Sequence, residues 1–357
     1  MQPLRMGFVG AGYMGQLAHI GNYALLDGCE MVALAEPREE LAQKVASYHG
    51  IARVYEDHRR LADDPAIDAV AAILPQQLIT PVVRDLLQAG KHVITEKPMG
   101  VRAEDCRELA EMAADCDLVY QVGYMKRHDN GVLLAKSIVD DLLATERLGP
   151  ITMVRAWCFA GEWKFGIEEP ITTDEPIPEG VSEARPFPDW IPDELHALYN
   201  RVLNVDSHAT NLVRFLLSED YEFEQAAYRD MSRPIVLQGW SESGANCVFE
   251  LGKLPAPRWH EGVEVFFERG TLLVEPPPPL RRQSAARVVL REMGEHPRTI
   301  EPEATPGWAF AAQARHFVAS VRSEAEPASP AEDAMRDVEL AEQAVRLVVK
   351  GRVKREE

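Results

Sequence analysis

Cysteine is scarce and scattered. Cys29, Cys106, Cys116, Cys158 and Cys247 form an odd set with no C-x-x-C spacing, which points away from a disulfide framework or a thiolate zinc site and towards a reducing compartment. No metal is expected. No apolar stretch approaches the ~20 residues that span a bilayer. The start of the chain, Met1-Gln2-Pro3-Leu4-Arg5, leads straight into a strand-like segment, without the apolar core and small-residue cleavage site of a signal peptide. A soluble, cytoplasmic protein is the expectation. Basic side chains are outnumbered, 38 Lys and Arg against 57 Asp and Glu, for a formal net charge of −19. Such a surface repels a phosphate backbone, so nucleic acid is not expected as a partner. Internal repeats are absent as well. What is present is 357 residues, 46% of them apolar, enough for more than one core; at roughly 100–200 residues per domain, two domains are expected.

The first third alternates. Met6-Gly7-Phe8-Val9 reads as a strand, and Gly10-Ala11-Gly12-Tyr13-Met14-Gly15 as a turn. Leu17, Ile20, Ala24 and Leu25 then stand at helical spacing. Further strands are expected at 31–35, 69–74, 92–95 and 118–122, with helices at 40–48, 82–89 and 103–114 between them. The run Ala69–Leu74 is apolar almost without interruption, as in a strand buried on both faces. This pattern calls for a doubly wound parallel sheet. From Gly149 it changes: strand-like segments at 151–159, 222–228, 235–242, 247–251, 263–268 and 271–274 mostly lack intervening helices, so a largely antiparallel sheet is expected. Helical spacing is present at 205–217, 308–321 and 331–349. Residues 161–200, with six prolines, and Glu275–Leu280, with four in a row, resist assignment.

The glycine string closes a strand and opens a helix. In that context the first glycine, Gly10, permits the tight turn, Gly12 lets a pyrophosphate approach the backbone, and Gly15 allows close helix packing. The helix start offers N–H groups and a positive dipole to phosphates. Glu36 follows about 20 residues later at a strand end, where a carboxylate accepts from both ribose hydroxyls of an adenosine. Its charge opposes a 2′-phosphate and favours NAD over NADP. Arg38 argues the other way, since a guanidinium there meets such a phosphate or stacks on adenine. The other reading of the string is a structural turn beside a surface glutamate.

Ala89-Gly90-Lys91-His92-Val93-Ile94-Thr95-Glu96-Lys97-Pro98 is a strand carrying a charged pair and a proline at its carboxyl end, where open parallel sheets bind ligands. With the glycine turn before it, and Gln121-Val122-Gly123-Tyr124 and Arg127 after it, this segment resembles the glucose-fructose oxidoreductase/inositol 2-dehydrogenase family. Ala312–Phe317 and Pro330–Ala334 resemble family segments too. The resemblance implies an NAD-binding Rossmann domain over residues 1–123. It also implies a substrate-binding and oligomerisation domain of α+β type, with an open, largely antiparallel sheet, over 124–357. The cofactor set is then Gly10, Gly12, Tyr13, Met14, Gly15, Glu36, Arg38 and Glu96. By resemblance Lys97 is the active-site lysine, its bond to Pro98 often cis in relatives, and its ammonium favours a developing alkoxide. Lys97 read alone is a solvated lysine paired with Glu96.

By the same resemblance His208 is the catalytic histidine, in the first turns of a helix whose dipole keeps the imidazole neutral. The family has an aspartate four positions earlier, on the same helical face; this chain has Asn204. His208 is assigned as general acid/base, Lys97 as its electrostatic partner and Asn204 as a hydrogen-bonding orienter, with Asp206 read as an N-cap for which Ser207 and Asn204 are rivals. Tyr124, Arg127, His128, Trp163, Trp190, Tyr199 and Arg201 are the substrate-binding candidates. The proline-stiffened 161–200 stretch either closes over a site or makes subunit contacts. The expected activity is NAD-dependent oxidation or reduction at a hydroxyl or keto group of a sugar, polyol or cyclitol, by a homodimer or homotetramer. The lost aspartate keeps open an NAD-dependent glycosidase that works by transient oxidation, elimination and re-reduction. An inert dinucleotide sensor is a third reading, against which Lys97 and His208 both count.

Overall fold

Apolar runs suited to burial on both faces become the strands of a parallel sheet in a computed structural model that describes residues 2–161, 163, 169–178, 184–253 and 259–356, with side chains to 351. The chain divides into two units. Met1–Tyr124, Ile167–Asp189 and Phe310–Val338 form the first, and Met125–Gly166, Trp190–Ala309 and Glu339–Glu357 form the second.

In the first unit β1 (Leu4–Val9) leads through the glycine turn into a π-wound segment, Gly15–Ile20, continued by α1 (Gly21–Ala24). Then follow β2 (Cys29–Ala35), α2 (Glu39–His49), β3 (Arg53–Tyr55), α3 (His58–Ala62), β4 (Ala69–Ala72), α4 (Gln76–Gln88), β5 (His92–Glu96), α5 (Ala103–Asp115) and β6 (Tyr120–Gly123). The strands are parallel in the order β3-β2-β1-β4-β5-β6. The order reverses between β1 and β4, the switch point where such sheets bind ligands at their carboxyl ends.

Helix α4 starts earlier than the expected Val82, at Gln76, and keeps Pro81 inside it. Proline has no N–H to give the carbonyl four residues back. That carbonyl, of Gln77, accepts from Arg185 N at 2.8 Å instead, so the vacated acceptor anchors a distant segment.

In the second unit α6 (Asn130–Thr145) precedes β7 (Ile151–Cys158). A helical run then goes from α7 (His196–Arg201) through a π-wound segment, Val202–Asp206, into α8 (Ser207–Leu217). Strands β8 (Tyr221–Ala227), β9 (Ile235–Ser241), β10 (Asn246–Leu251), β11 (Glu261–Phe267), β12 (Gly270–Glu275), β13 (Arg287–Glu292) and β14 (Arg298–Ile300) complete an eight-stranded sheet in the order β14-β13-β12-β11-β7-β10-β9-β8. Every neighbouring pair is antiparallel except β7 with β10. Burial alternates along β9, β10 and β12, the mark of a sheet with one face in a core and one wet.

Two helices close the chain, α9 (Ala309–Val321) and α10 (Ala331–Glu356). Ala314, Phe317 and Val318 of α9 join Phe8, Ile20, Leu34, Val45, Ala71 and Ile94 in the core of the first unit. Among the described residues no helix is long and apolar enough to cross a membrane.

Candidate functional site

The turn after β1 is built by its glycines. Gly10 has φ +92°, and a Cβ there would stand 2.4 Å from Ile73 O. A Cβ on Gly15 would stand 2.5 Å from Gly10 O. Gly12 is different: a Cβ on it would meet nothing within 4 Å. The protein's own backbone therefore demands the two outer glycines, and the middle one leaves room for a visiting group. Tyr13 and Met14 open the helix, where Gln16 N donates to Gly12 O at 3.0 Å. A pyrophosphate fits such a turn at a switch point.

Glu36 closes the same corner from the end of β2. It is buried, and its Oε2 accepts from Ala11 N at 2.9 Å inside the turn. Oε1 accepts from Arg38 Nε at 2.7 Å and Arg38 N at 3.3 Å. Arg38 thus lies against Glu36, and a carboxylate with about four acceptor sites still has capacity for a hydroxyl.

At the end of β5, Glu96 is buried with its Oε1 2.8 Å from His19 Nε2. A carboxylate can only accept, so the imidazole N–H donates. His19 sits in the π-wound segment, edge-on to Phe310. Sequence reading gave no sign of this pair, since its partners lie 77 positions apart. Lys97 follows, half-buried and joined to Pro98 by a cis bond. Tyr124, just past β6, is fully buried.

The 161–200 stretch lies partly outside the described residues. Its 184–189 portion is fastened to the first unit: Arg185 forms two bonds with the buried Asp105 at 2.7 and 2.8 Å, and Arg102 donates to Pro186 O, Phe187 O and Asp189.

In the second unit His208 stands just after the π-wound segment. The helix does not start there, as the sequence suggested, but runs unbroken from His196 to Leu217. Ser207 N donates to Val202 O, so His208 stands inside a continuous helical run and not at its start. Asn204 lies in the π-wound segment and His208 in the first turn of α8. Asn204 Nδ2 donates to Asn200 O and Oδ1, both at 3.2 Å.

Nor does the Asp206 side chain cap α8. The carboxylate is fully buried against Arg201, whose Nε donates to it at 3.1 Å. Burial pushes its carboxyl up to about 7, against the pull of Arg201.

Arg127 lies in the short turn Met125–His128 and is brought to α8, donating to Asn211 Oδ1 at 2.8 Å with its guanidinium 5.4 Å from the Phe215 ring centroid. His128 is buried in the same turn. Beside it Lys126 and Glu261 form a buried ion pair, and Trp259 Nε1 donates to that carboxylate at 3.0 Å. Tyr199 is fully buried within α7, Trp163 is half-buried, and the Trp190 ring lies 3.7 Å from the Arg346 guanidinium. Lys97 belongs to the first unit and His208 to the second.

Residues 4–124 match the model of an oxidoreductase family with an NAD-binding Rossmann fold. The chain is 31% identical over 149 residues to levoglucosan dehydrogenase of Pseudarthrobacter phenanthrenivorans, covering 40% of this chain and 38% of that one. It is 33% identical over 156 residues to inositol 2-dehydrogenase/D-chiro-inositol 3-dehydrogenase of Lacticaseibacillus casei, covering 43% and 44%. The matched stretch thus spans only about two-fifths of these relatives. The fold extends further. The crystal structure of myo-inositol dehydrogenase from Lactobacillus casei, in complex with NAD(H) and myo-inositol, superposes with a TM-score of 0.72 at 20% identity, covering 97% of this chain and 94% of that one.

Proposed function

We propose that this chain, whose residues 4–124 match an oxidoreductase family with an NAD-binding Rossmann fold, is an NAD-dependent oxidoreductase acting on a hydroxyl or keto group of a polyol, cyclitol or sugar. One observation carries the reading: the glycine turn follows β1 and Lys97 follows β5, both at the carboxyl edge of one parallel sheet. Ligands of open α/β sheets bind at that edge. The names of the relatives support the substrate class, as dehydrogenases of levoglucosan and of inositols.

The Gly10–Gly15 turn would hold the pyrophosphate of NAD, and Glu36 its adenosine ribose, whose hydroxyls compete with Arg38 for Oε1. Bound NAD supplies the hydride acceptor. Lys97 donates a hydrogen bond to the reacting oxygen and favours its alkoxide character as the proton leaves. His208 takes that proton and returns it in the reverse direction. Asn204 is left as an orienter of the helix before His208, and Arg127, held by Asn211, as a hydroxyl-binding group.

Steady-state kinetics and NAD titration test these roles. His208→Gln and Lys97→Gln are each expected to lower turnover by about a hundredfold or more, the range of general acid-base groups, with NAD affinity within a few-fold. Near-normal turnover in His208→Gln would remove that residue from the mechanism.

A further inference from the structure

Residues 169–178 cross the first unit beside the glycine turn, held at two places. Gln16 and Ile171 exchange a pair of hydrogen bonds, Gln16 Nε2 to Ile171 O at 3.0 Å and Ile171 N to Gln16 Oε1 at 2.8 Å. Gln16 Nε2 also donates to Ala11 O at 2.7 Å. The Ile171 side chain, like that of Met14, packs against the core of the unit. Further on, Glu175 reaches α2: its Oε1 accepts from Glu40 N and its Oε2 from Leu41 N, both at 3.0 Å. The residue before α2, Arg38, provides no side-chain cap. Two amides of the first turn are therefore satisfied by a carboxylate more than 130 positions away in sequence.

The place matters because of what a dinucleotide carries there. With the adenosine ribose at Glu36, a 2′-phosphate would lie near the end of β2, where Arg38 and the first turn of α2 follow. Sites that accept NADP meet it with a guanidinium and unused backbone amides. In this chain Arg38 Nε already donates to Glu36, and the amides of Glu40 and Leu41 already donate to Glu175. The bond from Glu40, with that from Leu41 and the nearby charge of Arg38, holds the Glu175 carboxyl below its ordinary range. The anion is thus present at working pH. NAD has only hydroxyls at this position and needs neither the amides nor the guanidinium.

We propose that Glu175 is a specificity-determining residue of the dinucleotide site: its carboxylate takes the amides that a 2′-phosphate needs and repels that phosphate, so the site accepts NAD and rejects NADP. The proposal rests on the NAD-binding reading of the first unit. It adds a selector that comes from outside the strand-turn-helix segment where dinucleotide preference is ordinarily read.

Calorimetric titration of the full chain with NAD and NADP at low salt tests it. Glu175→Ala is expected to bind NADP at least about tenfold more tightly than the parent, because like charges placed together are costly, with NAD unchanged within about threefold. Glu175→Gln keeps an acceptor for one amide but loses the charge, and should gain less. NADP affinity within about twofold of the parent in both variants would overturn the proposal. So would an equal gain for NAD and NADP, which would make the segment a simple cover. A parent chain that binds neither dinucleotide would instead overturn the cofactor reading beneath it. Thermal melting of both variants separates lost selectivity from lost fold.

Discussion

Asp206 lies far from the ordinary chemistry of a carboxylate. It is fully buried two positions before His208, and burial raises its carboxyl from 3.8 to about 7 although Arg201 opposes the shift. Between about pH 4 and 7 the folded chain keeps a proton that the unfolded chain has released. The stabilisation is therefore complete below pH 4 and is lost as pH rises through 7, at up to about 1.4 kcal/mol per pH unit. Denaturant midpoints at pH 5 and 7.5 should fall more in the parent chain than in Asp206→Asn, and identical pH dependence in both would contradict the assignment. Such groups are hard to read in sequence. Glu36 is legible because a strand, a glycine turn and a helix fix its spacing. The partners of Glu96 and Glu175 are set by tertiary packing, and the π turn that brings Arg201 to Asp206, five positions on, leaves no pattern in residue type.

The elements were legible where burial imposes a period. Strand β4 is buried from end to end and stands out as an apolar run, and the one-faced strands β9, β10 and β12 alternate. Helix α6 is hidden by the change of pattern that follows it, although Asp129 caps it through Gly131 N and Val132 N, and Val132, Ala135, Val139 and Leu142 line its buried face. The short strands β3, β13 and β14 carry charged residues within or beside their apolar positions and give no periodic signal. What no local pattern shows is that α9, far along the chain, completes the core of the first unit. Phe317 is wholly buried there. Phe317→Ala should cost about 3–5 kcal/mol, read as a lower denaturant midpoint at unchanged slope. A loss below about 1 kcal/mol would mean that α9 merely rests on the unit.

At the scale of the whole molecule, a parallel-sheet unit with the glycine turn is joined in one chain to a unit with an open, mainly antiparallel sheet. Asn204, which stands where the resembled family has an aspartate, bears on the proposed net reaction, because an amide cannot relay a proton as a carboxylate does. Net oxidation and redox-neutral glycoside cleavage differ in where the electrons finish. The direct measurement follows reduced-nicotinamide absorbance and product together, with polyols, cyclitols and sugars at saturating NAD, and with aryl glycosides at trace NAD. One NADH per molecule of oxidised product, and no aglycone release, is the expected result. Aglycone released with trace NAD and no accumulation of NADH would contradict it.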